Sequence, residues 1–299
     1  MSFRETLSLF ALAAIWGASY LFIRVAVPAL GPLPLAGGRV ALAALVLFLG
    51  LRLTGAPTDL RPHWRKLLVL GGLNAALPFS LISAAELHVT ASLAAMLTAT
   101  APMWSALFSA LWLDEPIRAR RAAGLALGVA GVGVLVGWSP LALSPAVLLS
   151  ILAVIVATAS YAGATVYSKR HLSAVPAPTL ALGQQVAATT LLALPALVRA
   201  PAAQPTAAAI TALVALAVVC TAVAYLIFFR LLATIGPTRV STVTYLIPVF
   251  GTVWGALFLH EQVSRGMMAG LVLILVSVLL VNGVRLRLPR SLHRKAVVS

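Results

Sequence analysis

Windows of about 18 or more almost uncharged residues recur along the whole chain, parted by short polar breaks. That is the length an α-helix needs to cross a ~30 Å hydrocarbon core at a rise of about 1.5 Å per residue. The pattern predicts helices over 7–27, 35–52, 67–86, 91–113, 121–137, 145–168, 178–197, 207–230, 238–259 and 265–284. The breaks carry turn residues, as in Gly31-Pro32-Leu33-Pro34, Trp138-Ser139-Pro140 and Gly236-Pro237. The expected fold is an all-α integral membrane protein of ten transmembrane helices, with no room for a soluble domain. Its first window holds Trp16, Tyr20 and Arg24 and is followed by no small-residue cleavage motif, so it reads as a retained span and not a secretory signal.

Composition points the same way. Of 299 residues 62% are hydrophobic and 9% charged, with a mean hydropathy of +1.06, far above a soluble balance. The net charge of +15 would suggest nucleic acid if it formed one face or tail, but the basic residues fall in short clusters between apolar runs. With a cytoplasmic N-terminus, the inside collects Arg4, Arg52, Arg61, Arg65, Lys66, Arg118, Arg120, Arg121, Lys169, Arg170, Arg230, Arg239, Arg285, Arg287, Arg290, Arg294 and Lys295, 17 in all. The outside keeps four, Arg24, Arg39, Arg199 and Arg265. The positive-inside bias therefore places both termini in the cytoplasm of an inner-membrane protein. Cys220, the single cysteine, has no disulfide or metal-binding company and reads as a small core residue.

The chain repeats itself. A shift of 146 lays Pro248 on Pro102, Thr244 on Thr98, Leu259 on Leu113, Glu261 on Glu115, Gly270 on Gly124 and Gly283 on Gly137. A shift of 145 lays Tyr161 on Trp16, Ala162 on Gly17 and Lys169 on Arg24. Two units are expected, 1–140 and 141–299, of five helices each. An odd number of crossings ends on the side opposite its start, so the second unit must be inverted relative to the first. Such repeats commonly hold a substrate near the midplane and rock around it. Glu115 and Glu261 then occupy equivalent corners at opposite faces, where each charge can stay hydrated or pair with an arginine.

In order and in duplicate, Trp16-Gly17-Ala18-Ser19 with Arg24, Ala91 to Met96 with Pro102, Leu113-Asp114-Glu115-Pro116, then Tyr225, Leu232, Gly236, Tyr245-Leu246-Ile247-Pro248 and Leu259-His260-Glu261 resemble one family. It is the EamA-type, ten-helix branch of the drug/metabolite transporter superfamily. The resemblance covers nearly the whole chain. It implies a secondary transporter, often an exporter of amino acids or other small metabolites, with a central cavity lined by both halves. The branch exporting aromatic and other neutral amino acids is the nearest. Two departures stand out: Tyr161 where the family usually carries Trp, and His260 and Gln262 around Glu261.

Chemistry narrows the choice. Glu5, Asp59, Asp114, Glu115 and Glu261 lie in or beside loops, Glu86 at the outer end of the third helix, and all five histidines at ends or in loops. No titratable side chain is expected at the midplane, which argues against a carboxylate-based proton antiporter. HExxH, GxSxG and a Walker-type loop are missing, so an enzyme, a metal or another cofactor is not expected. The helices instead hold neutral polar groups, aromatic rings and prolines. The expected cavity residues are Trp16, Ser19, Asn74, Pro78, Thr98, Pro102, Tyr161, Gln185, Tyr225, Thr244, Tyr245 and Pro248. Amides and hydroxyls can hydrogen-bond a zwitterion, and each proline frees a backbone carbonyl upstream. The competing roles are helix packing for Ser and Thr, and snorkelling for Arg24 and Lys169. The expected activity is export of small neutral or zwitterionic metabolites, amino acids first, with the oligomeric state left open and a monomer compatible with the pattern. The rivals are a lipophilic-drug or nucleotide-type cargo on the same fold, and a membrane-embedded lipid-modifying enzyme.

Overall fold

The computed structural model describes residues 1–56, 58–113, 115–199 and 204–282. Among them there is no strand. Eight helices are long and apolar enough to cross a membrane: α1 (Phe3–Leu30), α2 (Pro32–Leu53), α3 (Arg61–Ala85), α4 (Ala91–Trp112), α5 (Ala119–Gly137), α6 (Pro145–His171), α7 (Ala177–Val198) and α8 (Ala207–Ile235). Two shorter apolar helices follow, α9 (Val243–Leu259) and α10 (Arg265–Val281), and a single turn of helix, Pro237–Val240, leads into α9. The predicted tail arginines lie outside the described residues.

Local chemistry fixes the ends. Ser2 and Glu5 form a capping box that starts α1 four residues earlier than its apolar run suggests. Thr90, Ser144, Thr206 and Ser264 each accept a backbone N–H in the first turn of α4, α6, α8 and α10. Gly31 and Gly236 take φ of +80° and +78°, which a side chain would resist, and the next residue in each case is a proline that opens the following helix.

The packing pattern is paired. The first helix lies on α8 and α9, and α6 lies on α3 and α4. The second packs against α7, and α5 against α10. The last contact runs through Gly124, Gly131 and Gly270, with the Ser277 hydroxyl donating to the Gly124 carbonyl at 2.7 Å, a small-residue interface of the kind that holds helices together in lipid. Advancing each element by five carries these contacts onto one another.

Hydrogen bonds gather the helix termini at two ends. At one, Arg24 donates to the Glu86 carbonyl, Ser264 donates to the Trp138 carbonyl at 2.6 Å, and Glu261 meets the start of α4. At the other, Lys66 reaches the His171 carbonyl at 3.2 Å, Arg170 the Trp112 carbonyl at 3.1 Å, and Glu115 lies beside Arg121 and Lys169. These are called below the Glu261 end and the Glu115 end.

Candidate substrate site

The third and eighth helices both depart from α geometry at their middles. A π turn covers Gly72–Ala76 in α3 and Val218–Val223 in α8, starting 146 residues apart. A π turn leaves carbonyls and side chains out of the regular ladder and is often found at functional sites. Pro78 lies just beyond the first and contributes to it by lacking an N–H. The second has Ala224 at the matching place, so the turn does not depend on proline. Ser160 of α6 donates to the Leu73 carbonyl at 2.7 Å, satisfying a group in the first turn.

Asn74, inside the first π turn, donates to Gln184 Oε1 at 2.7 Å and to the Tyr225 hydroxyl at 3.5 Å. Tyr225 follows the second π turn, and its ring stands edge-on to Trp16 with centroids 6.3 Å apart; Phe228 flanks Trp16 at 5.6 Å. Tyr161 packs against both the main buried cluster and the cluster formed by α2, α3 and α7, yet keeps part of its surface accessible. Trp16, Asn74 and Tyr225 thus come together from both halves of the chain, while Pro78 lies four residues beyond Asn74 on α3 and Tyr161 packs on the neighbouring apolar clusters.

The other expected residues divide. Ser19 and Gln185 are buried, and the Ser19 hydroxyl and both Gln185 amide atoms have no hydrogen-bond partner among the described residues. Thr98 shares a 2.6 Å hydrogen bond with Tyr20 and donates to the Ala95 carbonyl at 2.8 Å. Pro102 opens the second segment of α4, which breaks at Ala99-Thr100 because Pro102 cannot return a bond to Thr98. Pro248 is buried within an unbroken α9. Thr244 and Tyr245 do not join the group. Thr244 turns back to the Ser241 carbonyl at 2.7 Å, and Tyr245 accepts from Asn282 at 2.5 Å, beyond the end of α10.

Three charged residues differ from expectation. Arg39, counted with the outer loops, is 6% exposed inside α2; its Nε donates to Thr221 Oγ1 at 3.0 Å and its guanidinium lies 3.8 Å from the centroid of Phe79. Glu86 is at its expected helix end but completely enclosed, with neither carboxylate oxygen hydrogen-bonded among the described residues. Glu261 is partly exposed and pairs with no arginine among the described residues. It accepts from Ala91 N at 2.8 Å, Ser92 N at 2.8 Å and Ser92 Oγ at 2.5 Å, and so caps α4. Thr221 and Tyr20 join them as partners of Arg39 and Thr98, and the sequence signal for the first pair is an arginine eight residues into an apolar run.

The two corners are unlike. Their backbones agree, since Glu115 N bonds to the Ser109 carbonyl and Glu261 N to that of Gly255, 146 residues on. At the Glu261 end α9 approaches α4 so closely that a Cβ on Gly251 would lie 2.5 Å from that of Ala95. Residues Ala91 to Leu97 are all buried there. Of Ala101–Trp112, in contrast, only Met103 is buried, and Glu115 is held by Arg121 at 3.3 Å and Lys169 at 3.4 Å. A cavity of about 230 Å³ opens at that end between Trp112, Tyr167, Arg170 and His171 and reaches Leu73, next to Asn74. A second hollow, about 400 Å³ between Phe22, Val25 and Phe258, is lined by apolar side chains and Thr211 and stands apart from the polar group.

Residues 4–137, and again 148–283, match the EamA-like transporter family. The chain belongs to that family. It is 29% identical over 283 residues to the uncharacterized transporter YvbV of Bacillus subtilis (strain 168), covering 93% of this chain and 92% of that one. To the uncharacterized inner membrane transporter YedA of Escherichia coli (strain K12) it is 28% identical over 292 residues, with 94% and 93% covered. Protein PecM of Dickeya dadantii (strain 3937) is 27% identical over 277 residues, 91% and 90% covered. A crystal structure of a protein with 21% identity agrees in fold, with a TM-score of 0.65 over 94% of this chain and 96% of the other. The protein is therefore a membrane transporter.

Proposed function

We propose that this EamA-family transporter exports small neutral or zwitterionic metabolites, amino acids first among them, across the inner membrane by alternating access. All ten helices cross in this reading, as inverted repeats over residues 1–140 and 141–299, with both termini in the cytoplasm. The Glu115 end is the cytoplasmic one, where the basic residues of the described loops concentrate. The short turn at Pro237–Val240 supplements the 17 residues of α9.

The observation that carries the mechanism is the contrast between the ends. Glu261 ties α9 to the N-terminus of α4, whose residues Ala91 to Leu97 are all buried, while its counterpart Glu115 is occupied with Arg121 and Lys169 at the end where a cavity opens. A sequence repeated in two halves but held in two different arrangements supports a carrier resting with its cytoplasmic side open. Exchange of the two arrangements would open the other side. Amides and hydroxyls from both halves around Trp16 and Tyr225 suit a small molecule with a polar backbone and a variable apolar part.

The test is efflux from proteoliposomes loaded with the twenty amino acids. A subset should leave faster than from protein-free vesicles. If none crosses in either direction, the amino-acid reading fails, and competition by lipophilic drugs and nucleotides becomes the next measurement. Terminal tags should both be accessible only from the cytoplasmic side.

A further inference from the structure

Arg39 is a guanidinium buried in the bundle that forms no ion pair among the described residues. It lies eight residues into α2, roughly 10 Å from the helix start at the α-helical rise. Its partner Thr221 is in the π turn at the centre of α8. Among the described residues Arg39 makes no ion pair, and Nη1 and Nη2 have no hydrogen-bond partner. The groups within electrostatic reach are the hydroxyls of Tyr161, Tyr225 and Tyr20, the Cys220 thiol and, without an ion-pair contact, the buried carboxyl of Glu86. Ionisable residues at this depth face protein or a wet cavity and find a partner there. This one has bound one edge of its guanidinium to protein and kept the other edge free.

We infer that the free edge of Arg39 receives the anionic group of the cargo, a carboxylate. A guanidinium fork matches a carboxylate with two parallel N–H bonds, and the bound Nε fixes the orientation of the fork. The inference rests on the proposed transport of a small metabolite and narrows it: a cargo without an acidic group leaves Arg39 uncompensated, and a cationic drug is repelled by it. The π turn of α3 supplies the complement for a zwitterion. Asn74 donates through Nδ2 to Gln184 and Tyr225, which leaves its Oδ1 without a partner among the described residues, an acceptor for an ammonium group.

The experiment takes the amino acid that wild-type proteoliposomes move fastest and competes it with its own carboxamide and its decarboxylated amine. Wild type should prefer the carboxylate to both by at least about tenfold, the order expected for a charge-assisted hydrogen-bonded pair. Arg39→Gln should raise KM by a similar factor and abolish the preference, and Arg39→Lys should keep part of it. A wild type indifferent to the carboxylate overturns the inference, as does a variant that loses only maximal rate and keeps the preference, because a merely structural arginine behaves that way. If Arg39→Gln does not fold, Arg39→Lys decides by the same preference. If wild type moves no amino acid, the cargo reading has failed separately, and thermal stabilisation of the purified protein by benzoate against benzamide judges Arg39. Stabilisation by benzoate over benzamide, weakened in Arg39→Lys and lost in Arg39→Gln, supports it; equal or no stabilisation overturns it.

Discussion

Thr221 carries more than a hydroxyl in a membrane helix usually does. It donates to the Leu216 carbonyl at 2.8 Å, five residues back as the π turn requires, and accepts from Arg39 Nε at 3.0 Å. Its proton committed to one side, the oxygen presents its lone pairs to the other. A hydrogen bond with a charged partner contributes about 1.5–3 kcal/mol net. The ring of Phe79 adds up to about 2 kcal/mol of cation–π attraction when desolvated. Thr221→Val preserves shape and removes both bonds, so it should lower stability by about 1.5–3 kcal/mol, read as an earlier thermal midpoint in detergent, and Thr221→Ser should recover most of it. An unchanged midpoint for the valine variant would detach Arg39 from this account. Counting loop charges assigns any arginine near a helix end to the surface, and a long side chain usually does reach the headgroups. Whether it turns inward depends on an acceptor contributed 182 residues away.

Among the elements, the helices themselves were legible because lipid demands runs of apolar residues, and the eight long ones fall close to their predicted bounds. Their internal irregularities were not. Neither π turn leaves a compositional mark, and the symmetry-related prolines behave differently: Pro102 divides α4, while Pro248 is absorbed in a continuous α9. Glu261 was legible as a corner but not as a cap, because its partners Ala91 and Ser92 are distant in sequence. Its function is testable at this scale. Carboxylates at a helix N-terminus gain from the dipole, typically about 0.3–1 kcal/mol, besides the hydrogen bonds they accept. Glu261→Gln removes the charge and turns one acceptor into a donor facing an N–H. The Glu261 end should loosen. Thr98→Cys in a Cys220→Ala background supplies a reporter at mid-depth. Membrane-impermeant maleimide added on the Glu261 side should label it several-fold faster when Glu261→Gln is present. Equal labelling would mean that the cap supports α4 without gating it.

At the level of the whole molecule, two like sequences hold unlike contacts, and a carrier that alternates must be able to trade them. The counterpart of the α4 start at Ala91 is the helix start at Pro237, 146 residues later. In the opposite state Glu115 should leave Arg121 and Lys169 for that helix start, as Glu261 leaves Ala91 and Ser92. Present stability then reflects a competition between two caps, and removing either biases the equilibrium toward the other. The sizes permit a measurable effect, because about 1.4 kcal/mol shifts a two-state ratio tenfold. Glu115→Gln should therefore hold the protein in its present form, slowing exchange and reducing Thr98→Cys labelling from the Glu261 side below the level with native corners. Glu261→Gln should raise that labelling, and the double variant should fall between them. The opposite signs are the decisive part. Loss of a surface ion pair alone, worth about 0–1 kcal/mol and easily screened, gives no reason for Glu115→Gln to protect a mid-depth position from a reagent added at the opposite end. Should both variants shift labelling in one direction, the corners are independent supports, and the repeat has no exchange of contacts with which to carry cargo across.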